Sequence, residues 1–127
     1  MPNGETTVQK LKEAVPQIQA SISPLEDSQA LEAAITDCDI LVNATKVGMK
    51  PLEDQTLVDA RLFRPDLVVA DTVYNPRETL MIQQAVQAGC KAAVGGIGML
   101  LWQGVAAFHL FTGKDMPAQE VLDKFFS

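Results

Sequence analysis

Three short stretches concentrate side chains able to recognise a polar ligand. "NATKVGM", residues 43–49, brings an amide, a hydroxyl and a primary amine, and Gly48 lets the segment turn tightly. "DTVYNPRET", residues 71–79, follows the apolar run Leu67-Val68-Val69-Ala70 with a carboxylate, hydroxyls, a phenol and an Asn-Pro break. "GGIGMLLWQG", residues 95–104, sets Gly95, Gly96 and Gly98 ahead of a segment carrying Gln103. These groups hydrogen-bond and orient. Nucleophilic catalysis needs a nucleophile beside a base. His109 is the only histidine, and neither Ser-His-Asp nor metal-ligand spacing surrounds it. It reads as a helix-surface or core residue, and no metal site is expected.

Each stretch admits a structural use and a ligand-facing one. Asn43 either pins a neighbouring loop, leaving Lys46 solvated, or helps shape a site. Tyr74 can pack its ring and leave its hydroxyl facing a ligand. Asn75, before proline, is biased to an extended backbone. Asp71 is either part of a site or a plain strand-end acid. The glycines allow close backbone approach, as a bound cofactor requires, but the run departs from GxGxxG at Leu101. On a helix, Gln103 shares its face with Met99, Ala106, Ala107 and Leu110. A buried amide without partners costs roughly 1–3 kcal/mol, so Gln103 is expected to bond either a backbone carbonyl or a ligand hydroxyl. Trp102 is expected to pack rather than stack.

Hydrophobic periodicity supplies the elements that must position these residues. A helix over Thr6 to Ala14 ends before Pro16. "QIQASI" alternates as a short strand, and a helix runs through Ala30-Leu31 and Ala34-Ile35. "CDILVNAT" and "DLVVADTVY" read as buried strands of a parallel sheet. Between them lie a loop, "KVGMKPLED", and a short helical piece, "QTLVDARLF". "RETLMIQQAVQAGC" predicts an amphipathic helix with Leu80, Ala85 and Ala88 inward and Gly89 in its C-terminal cap position. "KAAVGG" is the next strand. "GMLLWQGVAAFHLFTG" is a strongly apolar, buried helix capped by Gly113, and "PAQEVLDKFF" a last helix with Pro117 near its first turn. Strands alternating with helices imply right-handed crossovers and a mostly parallel sheet. The fold class is α/β, and ligands of such sheets bind beyond the carboxyl ends of the strands.

The 127 residues suffice for one domain, and 47% apolar with 20% charged residues describes a globular chain. A net charge of −6 without a basic cluster argues against nucleic acid and anionic membranes as partners. Cys38 and Cys90, far apart and outside any CxxC pattern, read as thiols in a reducing compartment. The polar N-terminus shows no secretion signal. The uncharged stretch between Lys91 and Lys114 is broken by glycines, so a soluble, cytoplasmic protein is expected.

Taken together, "DILVNATKVGMKPL", "VVADTVYNPRET" and "GGIGMLLWQGVAAFHLFTGKDMP" resemble the C-terminal part of the shikimate dehydrogenase family. Lys46 and the "GMLLWQG" helix are more similar to its quinate/shikimate dehydrogenase branch. The resemblance covers roughly Ser23 to the C-terminus. It implies reversible oxidation of a ring hydroxyl of shikimate or quinate with NADP or NAD. It further implies that Lys46, Thr72, Val73, Tyr74, Asn75 and Gly96 line the cofactor, and that Tyr74 and Gln103 face the substrate, Gln103 bonding one of its hydroxyls. The family commonly has Asp where this chain has Gly95.

The resemblance also implies what these residues omit. Family members run to roughly twice this length as two domains. The N-terminal domain, with most substrate contacts and a catalytic Lys-Asp pair, has no counterpart in these residues. Nor has the first Gly-rich βα turn of the cofactor domain. Residues 1–127 therefore read as a single, partial NAD(P)-binding domain of incomplete Rossmann-like form. The chain alone is expected to be inactive and to bind cofactor weakly. No catalytic residue is assigned. The loss of neighbouring strands further predicts a homo-oligomer. The alternative is a catalytically silent module that self-associates or binds a partner.

Overall fold

The computed structural model describes residues 2–126, and the chain divides after Asp37 into two compact units. In the first, α1 (Pro2–Ala14) and α2 (Ser28–Asp37) form where periodicity predicts helices. α2 opens on Asp27, whose carboxylate accepts from the Ala30 amide at 3.0 Å, and it buries Ile35. The expected strand "QIQASI" does not form: residues 17–22 are irregular, with Ile18 and Ala20 half-buried and Ile22 exposed. Alternation alone makes no strand, since a strand needs a neighbour for its backbone groups. No strand among the described residues pairs with this segment.

The second unit carries β1 (Ile40–Asn43), a 3₁₀ turn (Ala60–Leu62), β2 (Val68–Asp71), α3 (Leu80–Gln87), β3 (Ala92–Val94), α4 (Ile97–Thr112) and α5 (Ala118–Phe125). The strands make one open sheet in the order β1-β2-β3, with both pairings parallel. Ile40, Val68 and Ala92 stand in one row, and Val42, Ala70 and Val94 in another. The α/β class is as expected. The helix predicted in "QTLVDARLF" shrinks to a single 3₁₀ turn, capped where the Asp59 side chain accepts from the Arg61 amide at 3.0 Å.

Alternation along the strands divides the sheet into two faces. Leu67 and Val69 are fully buried, and α3 covers the Val69 face with Met81, Ile82 and Ala85. The inward set expected for α3 is thus partly corrected. Ala85 is buried, but Leu80 is only half-buried and Ala88, at the C-cap, is exposed. Beyond the last helical turn a side chain no longer follows the inward stripe. Gly89, with φ 69°, supplies the left-handed residue that ends α3.

Leu122 of α5, Ile82 and Ala93 line a groove of about 300 Å³, which sets α5 on the same side of the sheet as α3. α4 ends at Gly113 as predicted, with φ 68°. It is not the buried helix its composition suggests: Leu101 is its one buried residue, while Met99, Trp102, Leu110 and Phe111 are exposed. α4 packs chiefly on α5, and among the described residues no further element covers its apolar outer face. No helix among the described residues is long and apolar enough to cross a membrane.

Candidate functional site

The carboxyl ends of β1 and β2 are fastened together by one buried hydrogen-bond network. Asn43, the last residue of β1, donates from Nδ2 to the Val47 carbonyl at 2.9 Å and to Asp71 Oδ1 at 3.0 Å. Its Oδ1 accepts from the Thr45 amide and hydroxyl, at 3.1 and 2.8 Å. Both amide protons and both lone pairs are therefore used within the chain. Asp71, the last residue of β2, also takes the Val73 amide on Oδ1 at 2.9 Å and the Thr79 hydroxyl on Oδ2 at 2.6 Å. Asp71 is 4% exposed and Thr79 is 1% exposed, and Thr79 is also the N-cap of α3. Asn43 takes the pinning role that was one of its two readings, and Asp71, read as part of a site or a plain strand-end acid, joins it in fastening the strand ends. Gly48 closes the arrangement with φ 102°, a backbone setting that favours glycine. A Cβ there would also stand 3.2 Å from Thr79 Cγ2.

The third stretch is locked to the second at Gly96. Its amide donates to the Val73 carbonyl at 3.1 Å. A Cβ at this position would lie 2.4 Å from the Thr72 oxygen and 2.6 Å from that of Val73. Only glycine lets the start of α4 pass so close to the backbone leaving β2. At Gly95, where the resembled family commonly has Asp, a Cβ would meet the Arg77 carbonyl at 3.1 Å. A side chain there would require a small adjustment of the loop before α3.

Beyond these strand ends lies a cleft of about 220 Å³ lined by Thr45, Met49, Lys50, Thr72, Val73, Tyr74 and Asn75. Val73 is buried and anchors the loop, while Tyr74 is half exposed and Asn75 exposed. The Asn75–Pro76 and Lys50–Pro51 peptides, one in each loop, are cis. The structure thus brings Thr72, Val73, Tyr74 and Asn75 together, with Gly96 directly behind them. Lys46 does not line this cleft; it is exposed on the turn after β1.

Gln103 also lies outside the cleft lining, and its expected burial is corrected: it is exposed, with Nε2 donating to the Leu100 carbonyl at 2.9 Å. The helix face it shares was apolar by sequence but has no cover. Trp102 beside it is exposed rather than packed. His109 is on the helix surface, 3.3 Å from Asp115. Thr45 supplies the hydroxyl noted in "NATKVGM", while Met49 and Lys50 are cleft residues that sequence reasoning passed over. Thr79 was also passed over, although a threonine directly before the apolar Leu80 is a common N-cap signal.

The cleft offers hydroxyls, an amide, a phenol and an amine on a partly apolar floor. That is suited to orienting a small polar ring. It is smaller than the roughly 300–1,000 Å³ typical of sites enclosing a drug-sized ligand. Its donors and acceptors are of the kinds that pair with a carboxamide.

A family model described as the Shikimate 5'-dehydrogenase C-terminal domain matches residues 96–124. The chain is 46% identical over 126 residues to a shikimate dehydrogenase (NADP(+)) of Streptococcus uberis, covering 98% of this chain and 42% of that protein. It is 53% identical over 102 residues to a quinate/shikimate dehydrogenase of Escherichia coli, covering 80% of this chain and 35% of the relative. The fold superposes on the shikimate 5-dehydrogenase of Listeria monocytogenes, solved with shikimate and NAD, with a TM-score of 0.88 and 39% identity. That match covers 96% of this chain and 42% of the Listeria chain. The chain therefore spans about two fifths of the length of the relatives it matches.

Proposed function

Because the chain belongs to the shikimate dehydrogenase family and corresponds to its C-terminal part, we propose that it is the nicotinamide-side portion of an NAD(P)-dependent dehydrogenase of shikimate or quinate. The observation that carries this reading is the cleft at the carboxyl ends of β1 and β2, where Thr72, Val73, Tyr74 and Asn75 converge. Parallel sheets bind their ligands at that end. When bound, a nicotinamide dinucleotide would supply the hydride-transfer chemistry for oxidation of a ring alcohol. The chain's own residues hold and orient: the Thr72–Asn75 loop and Gly96 line the nicotinamide side, joined by Lys46 from the turn after β1. Tyr74 and Gln103 turn polar atoms toward the substrate.

The 127 residues alone are inactive in this reading. Proton transfer at the reacting hydroxyl needs a positioned acid–base group, and the cleft lining contains no carboxylate, while its Lys50 has no acidic partner among the lining residues. Cofactor affinity is weak for the same chain, because the Gly-rich turn that grips a pyrophosphate has no counterpart in the sequence. A reducing, cytoplasmic setting suits its thiols. The test is oxidation of shikimate and of quinate by the purified chain with NADP and with NAD. We expect no turnover above background and no clear rise in melting temperature with either cofactor at concentrations that saturate full-length relatives. Robust turnover would overturn the account of what this portion lacks.

A second reading is favoured by one observation. Ile40 and Val42 on the edge strand are exposed, and an unpaired apolar edge invites pairing with another chain. In this reading the isolated chain is a homo-oligomer, whether or not it ever meets a substrate.

A further inference from the structure

We propose that Asp71 is a positioning residue: one oxygen of its carboxylate holds together the two loops that line the cleft, and the spacing it fixes sets the affinity for a nicotinamide group that Asp71 itself does not touch. The proposal rests on the reading of the cleft given above. The lining comes from two separate segments: Thr45, Met49 and Lys50 follow β1, and Thr72, Val73, Tyr74 and Asn75 follow β2. Neither Asn43 nor Asp71 is among the lining residues. Asp71 Oδ1 nevertheless receives one donor from each side, Asn43 Nδ2 at 3.0 Å and the Val73 amide at 2.9 Å. Asn43 carries the tie onward into the first loop, where its Oδ1 accepts from the Thr45 amide and hydroxyl and its Nδ2 donates to the Val47 carbonyl. The Val47 amide donates in turn to the Thr45 hydroxyl at 3.1 Å.

The backbone does not do this work. The last ladder bond between the two segments runs from the Thr72 amide to the Asn43 carbonyl at 2.9 Å. Beyond it, no backbone hydrogen bond among the described residues joins residues 44–52 to residues 72–76. The side-chain bridge through Asn43 and Asp71 is the tie that remains. Its carboxylate is oriented from outside the cleft, because the Thr79 hydroxyl donates to Oδ2 at 2.6 Å and leaves Oδ1 turned to the two loops. The first loop also rests on this group directly: a Cβ on Gly48 would meet Thr79 Cγ2 at 3.2 Å and Asp71 Oδ2 at 3.8 Å. Binding groups must be held to within about 0.5 Å, and hydrogen bonds from behind them supply that precision. A cleft whose two loops drift apart must order them again when a ligand arrives, at a cost in affinity.

The test follows binding of nicotinamide mononucleotide to the isotope-labelled chain by amide shifts at Thr72 to Asn75, with ribose 5-phosphate as the probe lacking the nicotinamide group. We expect Asp71→Ala to raise the dissociation constant of the folded chain by about ten-fold, the equivalent of one hydrogen bond to a charged group. Asn43→Ala should reproduce that loss, and the double variant should add little, because both act through one bond. Asp71→Asn keeps an acceptor at Oδ1 and turns its amide to the Thr79 oxygen, so it should recover most of the affinity. Met81→Ala, in the core on α3 and outside the network, should lower stability comparably and leave the dissociation constant unchanged. Full affinity in Asp71→Ala, additive effects of the two alanine variants, or equal weakening by Met81→Ala would overturn the positioning role. If Asp71→Ala does not fold, the ligand-free chain decides: Asn43→Ala should speed hydrogen exchange at the Val73 amide, and an unchanged rate would overturn the coupling. Equal binding of both probes, or none by the unmodified chain, would overturn the nicotinamide reading of the cleft. Exchange at Val73 then still decides the coupling by itself, so the two failures are distinguishable.

Discussion

Replacing Asp71 with alanine would strip the acceptor from Asn43 Nδ2, the Val73 amide and the Thr79 hydroxyl at once. Hydrogen bonds to a charged group contribute about 1.5–3 kcal/mol each, and buried donors left without partners add a penalty. The effects share one network and do not sum, so we expect a loss of about 3 kcal/mol, read as a lowered urea midpoint. Asp71→Asn keeps one acceptor oxygen and should cost about half as much. An equal response to both would mean that the charge and the second oxygen are immaterial. Gly96→Ala should be more local. Its Cβ would fall within 2.6 Å of two backbone oxygens, so the loop leaving β2 must move, at a cost of about 1–3 kcal/mol, and amide shifts should concentrate at Thr72 to Asn75. Gln103→Ala should do the reverse. The residue is exposed, so stability should stay within about 0.5 kcal/mol. Grafted onto a full-length relative, the same substitution should lower kcat/KM for the ring alcohol by the equivalent of roughly 0.5–1.5 kcal/mol with cofactor affinity nearly intact. Unfolding of that variant would make Gln103 a structural amide.

Among the elements, legibility followed how much of the stabilisation was local. α3 could be read from sequence because its signals sit within its own length: an apolar stripe and Gly89 in the left-handed setting, with the N-cap Thr79 a further local signal that went unread. β1 and β2 could be read because short continuous apolar runs suit a parallel sheet. "QIQASI" could not, since its alternation says nothing about whether a neighbouring strand exists. α4 misled for a related reason. Apolar composition records what a surface is suited to meet, and nothing among the described residues covers Met99, Trp102 or Leu110. The cleft was half legible: "DTVYNPRET" announced polar groups, whereas Met49 and Lys50 reach it only through the tertiary placement of the loop after β1. The local signals are testable at Thr79. Thr79→Ala removes both the cap of α3 and the hydroxyl that donates to Asp71 at 2.6 Å. Loss of an N-cap alone costs about 1 kcal/mol, so we expect a larger loss, of about 2–3 kcal/mol. Thr79→Ser, which keeps the hydroxyl, should recover most of it. Equal melting temperatures for the two variants would remove Thr79 from the network.

At the scale of the whole molecule the question is what the isolated chain does with an edge strand it cannot cover. Ile40 and Val42 alternate with Leu41 along β1 and are more exposed than residues of a parallel sheet ordinarily are. Natural edge strands are protected by lysines, prolines, bulges or a covering segment, and Ile40 to Asn43 contains none of the first two. Without a partner chain, two copies should meet through this strand. The contact is short and leaves the apolar face open, so the association should be reversible and visible as a concentration-dependent sedimentation coefficient. The net charge of −6 on each copy opposes it, and that repulsion is screened beyond a Debye length of about 10 Å at 0.1 M salt. Added salt should therefore strengthen the dimer, opposite to the trend for a contact held by ion pairs. Ile40→Lys places one of the natural protecting residues on the strand and should raise the dissociation constant by about ten-fold, equivalent to about 1.4 kcal/mol. Val86→Lys, at an exposed position on α3, should leave it unchanged. A chain that sediments as a monomer through the micromolar range at both low and high salt would show that the edge of β1 is tolerated bare.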